Sequence, residues 1–233
     1  MHLSKRLQMV ADCVTTGNVV ADVGCDHAYI SIYLVEQGIV PKTIALDINE
    51  GPLERATQNV INYGFEDRIT TRLSDGLSRL EQGIADSVVI AGMGGALMVR
   101  ILSEGKACVA TAKELILQPQ SEIEKVREYL HKIGFAIVKE NMCIDEGKFY
   151  TVIKAQRHDV NATLDQRVYL KYGRLLLEEK HPILKLFLEK ELKVAYLIKE
   201  NLVMNGSETS KERLNELEEE IKLLQEGLAF YKD

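Results

Sequence analysis

The sequence predicts an α/β fold: a seven-stranded, largely parallel sheet followed by a separate helical region. Three observations predict it. Short β-rich apolar runs alternate with amphipathic helical patterns through the first two-thirds of the chain, the last two such runs lie too close together for a crossover helix, and beyond Gln156 the β-rich pattern stops. A chain of 233 residues has room for one α/β domain of ordinary size and a smaller appendage.

The strand runs are residues 19–24, 43–47, 69–73, 87–91, 114–118, 135–140 and 149–155, with helical patterns at 28–37, 50–63, 95–104 and 121–133. Alternation of this kind is the mark of βαβ units, whose crossover helices cover both faces of a parallel sheet. Local signals agree. Asn49 caps the second helix with Pro52 in its first turn, and Ser121 with Glu124 reads as a capping box for a helix that ends at Gly134. The last two strands, separated by residues 141–148, are expected to form an antiparallel hairpin. Such a sheet resembles that of the class I, Rossmann-like methyltransferases.

Three helices are expected after residue 156, divided at His181-Pro182 and at Asn205-Gly206-Ser207. Leu184, Leu188, Leu192, Ala195 and Leu202 form one apolar seam; Leu214, Leu217, Ile221, Leu224, Leu228 and Tyr231 form another, so an antiparallel coiled-coil hairpin is expected. The domains are therefore placed at 1–158 and 159–233.

A net charge of −6 argues against binding driven by a uniformly basic surface. Residues 167–199, however, carry eight Lys or Arg against four Glu, whereas 200–233 is acidic. The basic stretch can face phosphates or simply be the solvated side of a charged hairpin. Cys13, Cys25, Cys108 and Cys143 lie far apart with no CxxC pair, so reduced thiols are expected, with no disulfide framework and no metal. The first seventeen residues, charged at Lys5, Arg6 and Asp12, hold no apolar run suited to a signal peptide or membrane span, and a cytoplasmic protein is expected.

The chemistry concentrates at strand ends. The first strand runs into Asp22-Val23-Gly24-Cys25-Asp26-His27-Ala28-Tyr29, a glycine-containing turn that opens a helix, where sheets of this kind bind ligands. Asp26 stands where a dinucleotide-binding GxGxxG turn needs its second glycine. A carboxylate there repels a pyrophosphate but suits a ligand carrying an amine and a sulfonium, as S-adenosylmethionine does. Asp47 ends the second strand, where an acid accepts from ribose hydroxyls, with Ile48 beside it. Asp75-Gly76 follows the third strand, placed for an adenine ring. Each acid alone reads as a turn or capping carboxylate; three at successive strand ends read as a nucleoside site. Ala91-Gly92-Met93-Gly94-Gly95 closes the fourth strand on the substrate side and lacks the acidic or amide residue, Pro-Pro and aromatic usual in exocyclic-amine methyltransferases. Gln118, Gln120, Glu146, Lys148 and Tyr150 belong to the same edge and are further polar candidates there.

Taken in order, LSKRL at 3–7, DVGCDHAYI at 22–30, ALDIN at 45–49, LSDGL at 73–77, AGMGG at 91–95, LILQPQ at 115–120 and the helical C-terminal hairpin resemble the bacterial tRNA (adenine(22)-N1)-methyltransferases. The resemblance covers essentially the whole chain. It implies S-adenosylmethionine as cofactor, tRNA as partner and N1 of adenine 22 as acceptor. By residue, it implies Gly24 and Asp26 in the cofactor loop, Asp47 at the ribose, Asp75 and Gly76 at the adenine, and Met93 beside the reactive end; Asp22 and Ile48 are further expected cofactor contacts. Cys25 departs from the serine often found there. Adenine N1 has an in-plane lone pair, so positioning supplies most of the rate. Asp26 is the candidate for stabilising the charge that develops, and His27 and Tyr29 either orient the base or pack the helix start. Lys5, Arg6, Arg167, Lys171 and Arg174 are the expected RNA-facing residues, and a monomer or weak dimer is expected.

Two other readings share the fold: a methyltransferase acting on a small molecule or protein, and a non-catalytic protein that binds S-adenosylmethionine or RNA. Salt dependence separates the first from a tRNA enzyme, because phosphate contacts release counterions; absence of turnover marks the second.

Overall fold

The computed structural model describes residues 1–157, 166–205 and 208–232. The chain divides into two compact units, Met1–Ala162 and Thr163–Asp233. The expected boundary after residue 158 lies outside the described residues.

The first unit is built on strands β1 (Val20–Val23), β2 (Thr43–Asp47), β3 (Ile69–Leu73), β4 (Ser87–Met93), β5 (Glu114–Pro119), β6 (Phe135–Asp145) and β7 (Lys148–Arg157). They form one sheet in the order β3-β2-β1-β4-β5-β7-β6, with only β7 antiparallel to its neighbours. This is the Rossmann-like methyltransferase arrangement. β1, β2 and β5 are buried along their whole length, which is why their sequences read as continuous rather than alternating runs.

Helices α1 (Lys5–Ala11), α2 (Tyr29–Glu36) and α3 (Glu50–Tyr63) cover one face, where Val10, Ile32, Val35, Ala56 and Val60 pack on Val20, Ala45 and Ile116. Helices α4 (Gly95–Glu104), α5 (Lys106–Thr111) and α6 (Ile123–Lys132) cover the other, through Met98, Leu102, Val109, Val126 and Leu130. α1 and α5 are additional to the sequence reading. α1 is two turns long: Ser4 caps it, its Oγ accepting from Leu7 N at 3.3 Å, and Met9, Val10 and Ala11 are buried.

Two expectations for this unit are corrected. Ser121 does not cap α6; Glu122 occupies that position with φ 51° and makes no capping bond. Ser121 O instead accepts from Gly95 N at 2.9 Å, and the Glu122 carboxylate accepts from Ala96 N at 3.2 Å and pairs with Lys125. A Cβ on Gly95 would lie 2.5 Å from Glu122 O, so the close approach of two helix starts displaces the capping box. The hairpin loop is two residues long, because pairing continues through Cys143↔Tyr150 and Asp145↔Lys148. Glu146 and Gly147, with φ 48° and 76°, supply the positive φ values that a tight hairpin turn requires.

In the second unit the first expected helix is broken at Gly173, φ 92°, into α7 (Arg167–Tyr172) and α8 (Arg174–Glu178), so four helices are described rather than three. α9 (Pro182–Asn205) and α10 (Glu208–Ala229) run antiparallel, as Lys199 pairs with Glu218 at 2.7 Å and Gln225 Nε2 donates to Tyr196 Oη at 2.9 Å. Leu184, Leu188 and Ala195 on one seam and Leu217, Ile221 and Leu224 on the other are buried.

Candidate active site

Five parallel strands end along one edge of the sheet, and a cavity of about 540 Å³ follows that edge. Its floor comes from the residues after each strand: Ser74 to Gly76 after β3, Asp47 to Asn49 at β2, Asp22 to His27 at β1, Ala91 to Met93 at β4, and Gln120 after β5. Arg6 and Leu7 of α1, Tyr29 and Ile30 of α2, and Leu97, Arg100 and Ile101 of α4 complete the walls. Neighbouring strands lie about 4.8 Å apart, so five strand ends span roughly 19 Å.

The loop after β1 is held in an unusual backbone. Gly24 has φ 72°, a conformation that favours glycine, and a Cβ there would stand 2.1 Å from Met93 Cε and push the end of that side chain aside. Asp26 and Ala28 also have positive φ, 47° and 57°, an arrangement that costs a non-glycine residue about 1 kcal/mol or more. Neighbours offset it. Ala28 N donates to Cys25 O at 2.7 Å, and Asn59 Nδ2 of α3 donates to His27 O at 3.0 Å.

Asp47 is the hinge of the floor. Its Oδ2 accepts from Asp26 N at 3.2 Å and its Oδ1 from Asn49 N at 3.0 Å, joining the β1 and β2 loops. A carboxylate has about four acceptor sites, so two remain on the cavity side. Ile48 next to it is 54% exposed, an apolar side chain lining the cavity. Gly76 has φ 55°, and a Cβ there would lie 2.9 Å from Ile101 Cγ2.

Four carboxylates line this cavity: Asp22, Asp26, Asp47 and Asp75. Burial pushes the Asp22 carboxyl up to about 6, against the pull of the Ser31 hydroxyl, which donates to its Oδ2 at 2.9 Å. Burial, reinforced by Asp22 and Asp47, also raises the Cys25 thiol, which stays protonated and unsuited to nucleophilic attack. At the rim, Arg55 Nη2 donates to Asp26 Oδ1 at 3.3 Å, His27 Nε2 lies 3.7 Å from Asp26 Oδ2, and Arg100 Nη2 reaches Asp75 Oδ1 at 3.4 Å. The His27 and Tyr29 rings stack at 5.1 Å and 10°. Opposite them, Arg6 Nη1 donates to Gln118 Oε1 at 2.9 Å, with its guanidinium 5.6 Å from the Tyr150 ring centroid.

The model of the family described as "Methyltransferase domain" matches residues 3–153. The tRNA (adenine(22)-N(1))-methyltransferase of Bacillus subtilis is 36% identical over 231 residues, covering 97% of both chains. The chain belongs to the tRNA (adenine(22)-N1)-methyltransferase family. Among solved structures, the B. subtilis M1A22 tRNA methyltransferase TrmK superposes with a TM-score of 0.88 at 35% identity, covering 97% of this chain and 99% of that one. A Streptococcus pneumoniae protein solved in complex with S-adenosyl-L-methionine superposes with a TM-score of 0.85 at 34% identity, covering 97% and 100%.

The cavity's donor set fits the cofactor of such a methyltransferase. Unused Asp47 acceptor sites match a ribose diol, Ile48 matches an adenine face, Asp75 matches an exocyclic amine, and an acidic floor matches a ligand bearing an ammonium and a sulfonium. Every residue expected at the cofactor, Asp22, Gly24, Asp26, Asp47, Ile48, Asp75, Gly76 and Met93, lines this cavity, as do His27 and Tyr29. Arg6, expected on an RNA-facing surface, lines the cavity wall, where α1 packs its end of the helix against the β5 edge. Lys5 is exposed. Arg167, Lys171 and Arg174 belong to the second unit and are exposed, with Arg167 paired to Glu219 at 3.0 Å and Arg174 to Glu178 at 2.8 Å.

Of the hairpin candidates, Glu146 serves the turn, Lys148 the ladder, and Tyr150 lies under Arg6. Sequence reasoning missed Arg100, Leu97 and Arg55. Arg100 and Leu97 follow the AGMGG turn on the first turns of α4 and could have been found by extending the strand-end rule one helix turn onward. Arg55 acts on Asp26 across a loop, and no spacing rule reports it. Among the described residues no group of three His, Cys, Asp or Glu is arranged to hold a metal ion, and no helix is long and apolar enough to cross a membrane.

Proposed function

We propose that the chain transfers the methyl group of S-adenosylmethionine to N1 of adenine 22 in tRNA. The observation that carries this reading is the convergence of Asp47, Asp75-Gly76 and the Gly24 to Asp26 loop on one acid-lined cavity, in a chain related over its whole length to a B. subtilis enzyme of that name.

Asp47 holds the ribose, Asp75 and Gly76 meet the adenine edge, Ile48 covers its face, and Gly24 and Met93 border the reactive end. The cofactor supplies an electrophilic methyl carbon on a positively charged sulfur, which the in-plane lone pair of adenine N1 can take directly. N1 carries no proton in neutral adenine, so no residue has to act as a general base. The work of the protein is to place the acceptor in line, for which effective molarity is the large factor. Asp26 faces the cavity with its charge shared among Arg55 and His27, and its carboxylate stabilises the positive charge that develops on the methylated ring. His27 and Tyr29 form a stacked pair at the mouth, suited to flanking a flat base.

Residues 1–158 act as the methyltransferase domain and 159–233 as a helical domain with a coiled-coil seam. Lys5, Arg167, Lys171 and Arg174 contact RNA phosphate. A tRNA substrate places the activity in the cytoplasm, with the enzyme working as a monomer or weak dimer. N1 lies on the pairing edge of adenine, so the base must leave its partner before it reacts.

The decisive experiment is methyl transfer from labelled S-adenosylmethionine to unmodified tRNA transcripts carrying adenine or guanine at position 22, followed by nucleoside analysis. N1-methyladenosine formed only on the adenine transcript supports the proposal. No methylated nucleoside on either transcript removes it in favour of a small-substrate or non-catalytic protein.

A further inference from the structure

Adenine N1 takes a methyl group only when its lone pair points at the methyl carbon, so N1 itself must be left without a protein partner. The edge that remains for recognition is the Hoogsteen edge, where adenine presents the N6 amino donor beside the N7 acceptor. A side-chain amide carries the complementary pair, one acceptor and two donor hydrogens side by side, whichever way round it is turned. Two such amides line the cavity, those of Asn49 and Gln120. Among the described residues neither amide has a hydrogen-bond partner.

The two stand at opposite ends of the edge. Asn49 follows β2 beside Asp47 and Ile48, on the side proposed for the cofactor's nucleoside. Gln120 follows β5. The order β2-β1-β4-β5 puts three strand spacings between them, roughly 14 Å at about 4.8 Å each. Gly24 and Met93, which border the reactive end, lie between them at the ends of β1 and β4. With the β2 side taken by the cofactor, the acceptor base enters over β4 and β5. N7 is joined to N1 through three bonds and lies roughly 4 Å from it, and a hydrogen bond adds about 3 Å. That sum is about one and a half strand spacings, the distance from the β1 and β4 ends to the residue after β5.

Local structure holds Gln120 in place. Its backbone N donates to Met93 O at 2.9 Å. The β4–β5 register shifts between Ala91 and Met93, and Gly92, with φ 80°, is the extra residue of the bulge; such a bulge re-aims the side chains beside it. A Cβ on Gly92 would lie 3.8 Å from Gln120 Nε2, so the amide stands over bare backbone. Gln118, two residues earlier, cannot play the same part, because it is fully buried, its Oε1 accepts from Arg6 and its Nε2 donates to Pro119 O.

We propose that Gln120 is the specificity-determining residue for the acceptor base, its Oε1 accepting from adenine N6 and its Nε2 donating to N7. The assignment rests on the methyl-transfer reading given above. Guanine offers two acceptors, O6 and N7, on the same edge, and the amide can satisfy only one of them.

The test is single-turnover methylation of ligated tRNAs carrying adenosine, 7-deazaadenosine or purine riboside at position 22. The second lacks the N7 acceptor, the third lacks the N6 amine, and both keep N1. For each acceptor the ratio of wild-type to variant rate is read, in which the intrinsic reactivity of N1 cancels. Gln120→Ala should slow adenosine on the order of 10- to 100-fold and each analogue by only about 5-fold or less, because one of the two bonds is already gone. Gln120→Glu keeps the acceptor for N6 but sets a second acceptor against N7, so it should lose far less rate on 7-deazaadenosine than on adenosine. Calorimetric affinity for S-adenosylhomocysteine should stay within about 2-fold of wild type in both variants, which guards against a folding failure. Equal wild-type-to-variant ratios on all three acceptors, or a parallel loss of S-adenosylhomocysteine binding, would overturn the assignment while leaving methyl transfer standing. A wild type that methylates none of the three tRNAs would overturn the methyl-transfer reading and the assignment with it.

Discussion

Replacing Asp47 by asparagine tests the floor of the site at the point where two loops and the ligand meet. Each Asp47 oxygen already accepts a backbone N–H, from Asp26 at 3.2 Å and from Asn49 at 3.0 Å, and each has one acceptor site left for a ribose hydroxyl. An asparagine keeps the shape but turns one oxygen into a donor, so one backbone N–H faces another donor and one hydroxyl must reverse its bond. The surviving bonds also lose their charge. A lost charge-assisted bond amounts to about 1.5 to 3 kcal/mol, so about 3 kcal/mol of binding should disappear, a loss of roughly 100-fold. Calorimetry with S-adenosylhomocysteine and its 2′,3′-dideoxyribose analogue reads this directly. Wild type should discriminate strongly between the two ligands and Asp47→Asn should not. A variant that binds S-adenosylhomocysteine within about 3-fold of wild type, or that keeps the full discrimination, would refute the ribose assignment.

Four further outcomes follow from named contacts. Asp22, pushed up to about 6 by burial, binds more protons folded than unfolded between about pH 4 and 6; wild type should therefore lose up to roughly 3 kcal/mol of stability as pH rises through that window. Asp22→Asn should abolish the slope, and urea unfolding at about pH 4 and 7.5 reads it; parallel pH profiles for the two proteins would contradict it. Gly24→Ala, with φ 72° and Met93 Cε in the way, should cost about 1 to 2 kcal/mol in thermal unfolding and weaken cofactor binding at least several-fold, whereas unchanged affinity would show that the loop can move aside. Asp26→Asn should slow single-turnover methyl transfer on the order of 10-fold or more with tRNA and cofactor saturating, and a full rate would remove its electrostatic role. Reversing the charge of Arg167 and Lys171 should lower tRNA affinity and flatten its salt slope with cofactor affinity unchanged, and an unaltered salt slope would place the RNA elsewhere.

The sheet was legible because strands such as β1, β2 and β5 are fully buried and write themselves as apolar runs such as Val19-Val20-Ala21 and Leu115-Ile116-Leu117. The cavity lining was legible from the strand ends: Asp47 and Asp75 follow strands whose ends meet along one edge. What stayed hidden depends on contacts distant in sequence. α1 is only two turns long and is stabilised by burial of Met9 and Val10 rather than by its own pattern. Arg6 reads as one of two basic residues on an exposed terminus until Gln118 and Tyr150 come to meet it. The Ser121 and Glu124 box obeys the local rule, yet the approach of Gly95 to Glu122 O recruits those residues for a tertiary contact.

The order of the strands in space differs from their order in the chain, since β1 lies between β2 and β4 and Val20 sits opposite Ser87. A nascent chain that has made only β1, β2 and β3 owns the part of the groove lined by Asp47 and Asp75 but not the wall formed by β4 and β5. Long-range parallel pairing is slow to form, so the complete groove awaits the pairing of β1 with β4. Any molecule captured along it cross-links five loops that meet only in the finished fold, and its binding energy is added to the stability of the whole sheet.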